Sequence, residues 1–144
     1  MHRALEQARQ GAERGEVPVG AVLLNPKGEV LAEAYNAPEG LNDPSAHAEV
    51  LALRRGAEKI GNYRLSGCIL VATLEPCLMC LGALIHARIG GLVFGARDLK
   101  SGALVSRMDG ADLTFVNHRF SYLDGILADE SNAMLKDFFT NRRK

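Results

Sequence analysis

Two short motifs, about thirty residues apart, constrain the fold of this chain more than any other feature. His47 is followed two residues later by Glu49, and further along the chain Cys77 and Cys80 follow Pro76. One imidazole and two thiolates are favourable ligands for Zn²⁺, and three protein ligands leave the fourth tetrahedral position open for water, as catalytic zinc sites require. The chain must therefore fold so that the two motifs meet at one ion.

The cysteine motif fits the beginning of a helix. Cys77 and Cys80 are three residues apart, so a helix opened by Pro76 places both thiols on the same side of its first turn. The unpaired N–H groups of that turn also lower the pKa of a thiol and favour the thiolate, which is the form that binds metal. One ion can then reach both sulfur atoms.

The histidine motif predicts a helix boundary as well. Residues two apart face nearly opposite ways in a regular helix, so His47 and Glu49 can serve one site only if they straddle a helix start. The preceding residues Asp43, Pro44 and Ser45 supply that start. We expect Asp43 or Ser45 as the N-cap and Pro44 in the first turn.

Two other interpretations of Cys77 and Cys80 are a redox pair and half of a structural zinc site. A structural site needs a fourth ligand, for which Cys68 is the candidate. Cys68 lies in an apolar run, residues 67–74, that is typical of a buried strand and begins about 20 Å from the strand end near Cys77. A redox pair would have no use for the distant His-x-Glu. We therefore predict a catalytic zinc site and place Cys68 in the core, with structural zinc as the alternative.

The composition is that of one globular domain, residues 1–144. The chain is 47% hydrophobic and 24% charged, which is enough to build a core. Two of its three cysteines are assigned to metal, and it shows neither a signal peptide nor an apolar stretch of about 18 residues. We expect a cytoplasmic protein without a membrane segment or a disulfide framework.

The charges at the C-terminus are more informative than the net charge. A formal net charge of zero argues against a nucleic-acid partner, because phosphate binding depends on Lys and Arg. Residues 138–144, however, place three cations beside two aromatic rings. Single-stranded RNA uses that pairing for phosphate contacts and base stacking.

The predicted elements alternate between helices and strands, with few turn-rich segments between them. In order they are a helix around Ala4 to Ala12, a hairpin of strands 17–24 and 29–35, a helix 45–60, a strand 68–74, a helix 77–87, a strand 91–95, a long loop 97–117, a short strand 118–123 and a helix 125–141. The strand, helix and strand around the cysteine motif imply a parallel pair with a crossover helix.

The two motifs together resemble those of the zinc nucleobase deaminases, whose signature is H-x-E followed by P-C-x-x-C. On further segments, which cover nearly the whole chain, the sequence is similar to the bacterial tRNA-specific adenosine deaminases; the segments are 16–22, 35–36, 43–49, 62–65, 73–77, 85–89, 94–98 and 125–130. The resemblance implies a three-layer α/β/α, cytidine deaminase-like fold, in which helices flank a central mixed five-stranded sheet.

The chemistry of the motifs predicts a hydrolytic deamination. Two thiolates neutralise one Zn²⁺ per subunit, which still lowers the pKa of bound water and supplies hydroxide. Glu49 is the predicted proton shuttle, taking the proton of the water, passing it to the ring nitrogen beside the attacked carbon C6, and helping to protonate the departing ammonia. The resemblance implies that the substrate is adenosine at the wobble position of tRNA and that the product is inosine.

The remaining site residues are implied by the resemblance. Asn36 would bond the flipped base, the backbone beside Ala48 would contribute a donor, and Val17 and Leu74 would sandwich the ring. Asn36 could instead satisfy turn backbone. Contacts with the tRNA anticodon loop are implied for Asp98, Lys100, Ser101, Asn117, Phe139 and Arg142, each of which could equally be a solvated, capping or core residue. The resemblance also implies a homodimer whose subunits complete each other's RNA surface.

Two other classes of protein would carry part of these motifs. A free-base or nucleoside deaminase, acting on guanine, cytosine or cytidine, would carry the same zinc residues and differ in pocket shape and flanking contacts. A zinc-stabilised binding module without turnover would have no need of Glu49. The loop 98–101 and the tail 139–144 are the features that favour tRNA.

Overall fold

The computed structural model describes residues 1–142, and a mixed five-stranded sheet lies at their centre. In chain order the strands are β1 (Gly20–Leu24), β2 (Val30–Tyr35), β3 (Ile69–Leu74), β4 (Gly91–Ala96) and β5 (Ser121–Leu123). They are arranged as β2-β1-β3-β4-β5, with β1 antiparallel to both β2 and β3, whereas β3, β4 and β5 run parallel. The central mixed sheet predicted from the sequence is confirmed.

Helices cover both faces of the sheet. They are α1 (His2–Glu13), α2 (Pro38–Leu41), α3 (Ala48–Ile60), α4 (Leu78–Ala87) and α5 (Ala128–Arg142). Helices α1 and α5 contact each other on one face, and α3 and α4 lie side by side on the other. This is the predicted three-layer α/β/α arrangement. Within residues 1–142, no helix combines the length and the apolar character needed to cross a membrane.

The side chains of β1 enter two separate cores. Ala21 and Leu23 are fully buried in the core shared with α3 and α4, whereas Val22 packs with Ala4 of α1 and Val71 of β3. Successive residues of a strand point to opposite faces, so a strand covered on both sides is apolar throughout. The position of β1 between two helix layers thus explains its continuous apolar sequence.

The segment from β3 to β4 is the predicted parallel crossover. β3 ends at Leu74 and α4 begins at Leu78, so only residues 75–77 separate the strand from the helix. β4 then pairs with β3 in parallel, with Ile69 opposite Gly91. The short connection keeps the N-terminus of α4 at the edge of the sheet where β3 ends, which is the usual place for a site in such a unit.

The helix after residue 43 begins later than the sequence predicted. The carboxylate of Asp43 accepts the N–H of Ser45 at 2.8 Å and its hydroxyl at 2.6 Å, so these residues form a turn of their own. The N-cap of α3 is His47, and the helix starts at Ala48. The prediction of Asp43 or Ser45 as N-cap, with Pro44 in the first turn, was wrong because the local side-chain bond competes with helix capping.

Two further differences concern short elements. Helix α2, a single turn at residues 38–41 that begins with Pro38, was not predicted. The predicted long loop after β4 is present and contains one 3₁₀ turn, Gly110–Asp112. Strand β5 has only the three residues 121–123, so the predicted strand 118–123 was too long.

The close approach of α1 to β1 gives a test of the fold. A Cβ at Gly20 would collide with the carbonyl oxygen of Ala4 and lie 2.6 Å from the nitrogen of Ala8, and helix backbone cannot move aside easily. We expect Gly20→Ala to lower the free energy of unfolding by about 1–3 kcal/mol or more, as overpacking does. The measurement is urea unfolding followed by circular dichroism.

The matched control is Gly82→Ala in α4, where an added Cβ meets no atom within 4 Å. Alanine in a helix interior should raise stability by about 0.5–1 kcal/mol relative to glycine. Equal changes in the two variants would contradict the close packing of α1 on β1.

Candidate metal centre and catalytic cleft

The N-termini of α3 and α4 meet at one point. His47 is the N-cap of α3, with φ −72° and ψ 150°, and Cys77 is the N-cap of α4, with φ −73° and ψ 174°. Neither side chain bonds the backbone of its own helix. Both side chains are therefore free to bind a common ion. The helix start predicted between His47 and Glu49 is present.

Three ligand atoms gather at this point. Nδ1 of His47 lies 3.6 Å from Sγ of Cys77 and 3.5 Å from Sγ of Cys80, and all three atoms are within 4.8 Å of one another. Zn–S bonds of about 2.3 Å and Zn–N bonds of about 2.0–2.1 Å at a tetrahedral angle place nitrogen and sulfur about 3.6 Å apart. The donor set and its spacing fit zinc.

Cys68 is absent from this group. Cys68 is 1% exposed and lies in the core just before β3. Within residues 1–142, His47, Cys77 and Cys80 form the one cluster of this kind. A three-ligand set of this composition is typical of catalytic zinc rather than structural zinc.

The two thiols differ in their pKa. A hydrogen bond from Cys80, together with the bond with His47, lowers the pKa of Cys77 to about 4 against the effect of burial. That same bond to Cys77, together with burial, raises the pKa of Cys80. The two thiols therefore titrate as one interacting pair, in which Cys77 is the first to become a thiolate.

Glu49 is a buried acid beside this cluster. The residue is 3% exposed, and its Oε2 atom is buried without a hydrogen-bond partner among residues 1–142. Burial raises the pKa of Glu49 to about 7. A carboxyl group with a pKa near neutrality can both take and give a proton at physiological pH.

A cleft of about 320 Å³ opens onto the cluster. This volume is in the range of small-molecule sites. Of the residues predicted to surround the substrate, five line it; they are Val17, Asn36, Leu74, Asp98 and Ser101, beside His47, Glu49 and Cys77. Its walls are mostly apolar and its floor is the metal cluster, which suits a flat ring with polar edges.

Asn36 and Ala48 are held together at the cleft. The backbone N–H of Asn36 donates to the carbonyl of Val19 at 2.9 Å, and its side-chain Oδ1 accepts the N–H of Ala48 at 3.3 Å. Asn36 is only 8% exposed. Asn36 therefore satisfies a backbone group and also lines the cleft, and its bond to a base stays a prediction.

The loop after β4 forms one rim of the cleft. The carboxylate of Asp98 accepts the N–H of Lys100 at 2.9 Å, the N–H of Ser101 at 3.2 Å and the Ser101 hydroxyl. Asp98 therefore organises its own loop. Lys100 and Phe139 line a second depression of about 410 Å³ that shares Val17, Leu74 and Asp98 with the cleft.

Two predicted site residues lie elsewhere. The carbonyl of Asn117 accepts Nη1 of Arg88 at 3.4 Å, and Arg88 ends α4 at the opposite end from Cys77. Nη2 of Arg142 bonds the carboxylate of Glu39 at 3.1 and 3.2 Å and the carbonyl of Gly15 at 3.0 Å. Arg143 and Lys144, part of the predicted basic tail, lie outside the described residues.

Two buried acids beside the cleft, of which Glu75 lines it, were not predicted from the sequence. Glu16 is 3% exposed and accepts the N–H of Gly40 at 2.6 Å and of Glu39 at 3.4 Å, which holds α2 at the cleft. Glu75 is 2% exposed and accepts hydrogen bonds from the loop after β4. Burial raises the pKa of Glu75, but bonds from the Ser106 hydroxyl and three backbone N–H groups outweigh it, and the pKa is lowered. For Glu75, the available signal was its position as a single acid between Leu74 and Pro76, directly before Cys77.

The known proteins with similar sequences and folds include several deaminases. Residues 1–143 match the model of the MafB19-like deaminase family. A tRNA-specific adenosine deaminase from Haemophilus influenzae is 46% identical over 144 residues, covering 100% of this chain and 83% of that protein. A solved structure from a study of A-to-I editing by tRNA:A34 deaminases at the wobble position of transfer RNA is 41% identical, with a TM-score of 0.91, covering 94% of this chain and 97% of that one. The structure of a guanine deaminase from Nitrosomonas europaea is 25% identical, with a TM-score of 0.79, covering 95% of this chain and 81% of that one.

The geometry predicts which cysteines hold metal. Cys77→Ser and Cys80→Ser each replace a sulfur of the cluster, so we expect the purified variants to lose most of their bound zinc. Cys68→Ser changes a buried thiol outside the cluster and should keep the zinc, although it leaves a polar group in the core. Elemental analysis of the purified proteins distinguishes the two classes. Zinc loss in Cys68→Ser with folding intact would show that Cys68 is a ligand.

Proposed function

We propose that this chain, which belongs to the family of the tRNA-specific adenosine deaminases, hydrolyses adenosine to inosine at the wobble position of a tRNA anticodon. One observation carries the proposal above all others. The buried, unpartnered carboxylate of Glu49 lies beside a three-ligand cluster at the floor of a cleft. That is the set of groups needed to activate water and move its protons.

His47, Cys77 and Cys80 would hold one zinc ion per subunit. Zinc bound by these residues lowers the pKa of a water molecule toward neutrality and so supplies hydroxide as a nucleophile. Because two thiolates and a neutral imidazole compensate the charge of the ion, no further acid is needed as a ligand. Glu49 is thereby left free for proton transfer.

Glu49 moves the protons of the reaction. Its Oε2 atom takes a proton from the attacking water and gives it to the ring nitrogen beside C6, which makes that carbon more electrophilic. The hydroxide bonds to C6, and the carboxylate takes the second proton from that hydroxyl and passes it to the amino group. The C6–N bond then breaks, ammonia departs, and C6 keeps the oxygen as a carbonyl. The pKa of about 7 suits both directions of transfer, since neither protonation state is strongly favoured at neutral pH.

The cleft walls would hold the flipped base. Val17 and Leu74 line the cleft together with Asn36 and would pack against the ring. Oδ1 of Asn36 accepts the N–H of Ala48, so this N–H reaches a base only when that bond opens. Removing the base from its stack is required because the reacting carbon is otherwise inaccessible. We assign these four residues to base recognition.

The RNA around the base would contact the rim of the cleft. Asp98, Lys100 and Ser101 face the cleft or the adjoining depression, and Phe139, 44% exposed in that depression, is available for stacking on a base. Arg142 is paired with Glu39, so a phosphate contact by Arg142 requires that this ion pair opens. We assign the anticodon loop to this surface.

A homodimer would extend the RNA surface. The exposed apolar side chains of Tyr63, Leu78 and Met79 lie near or on α4, with exposed fractions of 64%, 62% and 38%. Large apolar side chains that stay exposed on and beside one helix favour contact with another protein surface. We propose that two copies associate there, and that Asn117, remote from the cleft of its own chain, takes part in the combined surface. Free thiols as metal ligands agree with action in the reducing cytoplasm.

The substrate is tested by direct comparison. An anticodon stem-loop RNA with adenosine at the wobble position is incubated with the protein beside guanine, cytosine and cytidine. The products inosine, xanthine, uracil and uridine are measured by chromatography. We expect inosine in the RNA alone. Deamination of a free base alone would instead support the rival function, which the structural similarity to a guanine deaminase keeps open.

The role of Glu49 has its own test. Glu49→Gln keeps the size of the side chain but removes the proton carrier, so kcat should fall by about 10²- to 10⁴-fold while the zinc content is unchanged. Glu58→Gln makes the same change on the exposed surface of α3 and should behave like the parent protein. Turnover by Glu49→Gln close to that of the parent, with zinc retained, would exclude the proposed shuttle.

A further inference from the structure

A buried carboxylate connects the metal centre to the rim of the cleft. Glu75 directly follows β3, its N–H donates to the carbonyl of Ala96 at 2.8 Å, and the residue is 2% exposed. Two residues later, Cys77 begins the metal-binding motif. Burial of a carboxylate is costly unless hydrogen bonds compensate it, and the proposed proton transfers make no use of this group. Its burial needs another reason.

All four side-chain hydrogen bonds of Glu75 come from one loop, residues 98–106, which we call the rim loop. The N–H groups of Asp98 at 3.0 Å, Val105 at 2.8 Å and Ser106 at 2.9 Å donate to the carboxylate, as does the Ser106 hydroxyl. The donors lie at the first residue and the last two residues of the loop. One side chain therefore fixes both ends of the rim loop.

The middle of the rim loop packs tightly onto the same segment. The N–H of Ala103 donates to the carbonyl of Pro76 at 2.9 Å, and Gly102 forms an isolated β-bridge with Cys77. A Cβ at Gly102 would collide with the carboxylate of Glu75. The rim loop is thus fitted over Glu75 with no space for a side chain between them.

The rim loop carries two of the polar residues that line the cleft. Asp98 and Ser101 face the same space as His47 and Glu49, and the bonds between Asp98 and Ser101 hold that part of the loop rigid. Their distance from a bound base is then set by where the ends of the loop are anchored. Glu75 is that anchor.

We propose that Glu75 is a positioning residue that holds the rim loop where Asp98 and Ser101 meet the nucleotides beside the target adenosine, which rests on the proposed function. A carboxylate is suited to this task because it only accepts hydrogen bonds, with two oxygens for four converging donors. An amide at this position has one oxygen, and its NH₂ group would face N–H and O–H donors. Glu75→Gln therefore changes the anchor while keeping its volume.

Kinetics on stem-loop RNA test the proposal. For Glu75→Gln we expect KM to rise about tenfold or more, the effect of losing a hydrogen bond to a charged group, while kcat at saturating RNA stays close to that of the parent. The preference for the natural nucleotides on either side of the adenosine should weaken when stem-loops with altered neighbours are compared. Zinc content should be unchanged. Glu58→Gln, on the exposed surface of α3, is the control for loss of a charge.

Three results would overturn the proposal. They are unchanged KM and neighbour preference in Glu75→Gln, a fall in kcat alone, and loss of zinc with KM unaffected. Two substitutions in the rim loop change the same contact with Glu75, so the test does not depend on the folding of Glu75→Gln. Ser106→Ala removes the hydroxyl donor of the anchor, and Gly102→Ala pushes against the carboxylate. Both should raise KM in the same way, and normal KM in both would count against the anchor.

Hydrogen exchange separates this proposal from the proposed function. The amides of Asp98, Val105 and Ser106 should exchange faster in Glu75→Gln than in the parent, while amides of β3 keep their protection. If the parent protein fails to deaminate the stem-loop, the proposed function is wrong, and the exchange rates still report on the anchor. Unchanged exchange at the three loop amides would show that Glu75 does not hold the rim loop.

Discussion

The chemistry of this molecule depends on the packing of two helix N-termini against one face of a sheet. Leu51 of α3 and Leu81 and Leu84 of α4 belong to the same buried core, so the first turns of the two helices cannot separate without opening it. His47 and Cys77 occupy N-cap positions with extended backbone, and neither caps its helix. Their side chains are therefore available to an ion, at a separation set by helix packing. The metal centre gains its rigidity from the core rather than from a loop, as a preorganised site requires.

The walls of the cleft rely on a different interaction, the hydrogen bond from backbone N–H to a carboxylate. Glu16 holds α2, Glu75 holds the rim loop, and Asp98 holds the turn within that loop. Bonds of this kind are stronger than those between neutral groups. Segments too short or irregular to bury their own core are thereby fixed in place. The mouth of the cleft thus has defined walls, although it is built from a single helical turn and a loop.

Local spacing predicted those parts of the structure that depend on neighbouring residues. The interval between His47 and Glu49 indicated a helix boundary, and the distance along the strand separated Cys68 from the metal ligands; both features are present. The identity of the N-cap was not predictable, because the carboxylate of Asp43 can bond either Ser45 or the N–H groups of a helix start. In the structure it bonds Ser45. The hydrogen-bond donors to Glu75 lie 23–31 residues away along the chain, and Glu39, the acidic partner of Arg142, lies 103 residues away. No periodic pattern connects residues so far apart, which is why these contacts emerged only from the folded chain.

Residues 75–77 link the two kinds of interaction. The side chain of Glu75 anchors the rim loop, the carbonyl of Pro76 accepts the N–H of Ala103, and the side chain of Cys77 belongs to the metal cluster. These three residues form the short connection from β3 to α4, so their backbone has little freedom to move. A shift of the rim loop is consequently resisted by the same segment that places a metal ligand. The proposed contacts with the nucleotides around the base thus start from the same short segment as a metal ligand, whereas the zinc ligands alone would serve any related base equally well.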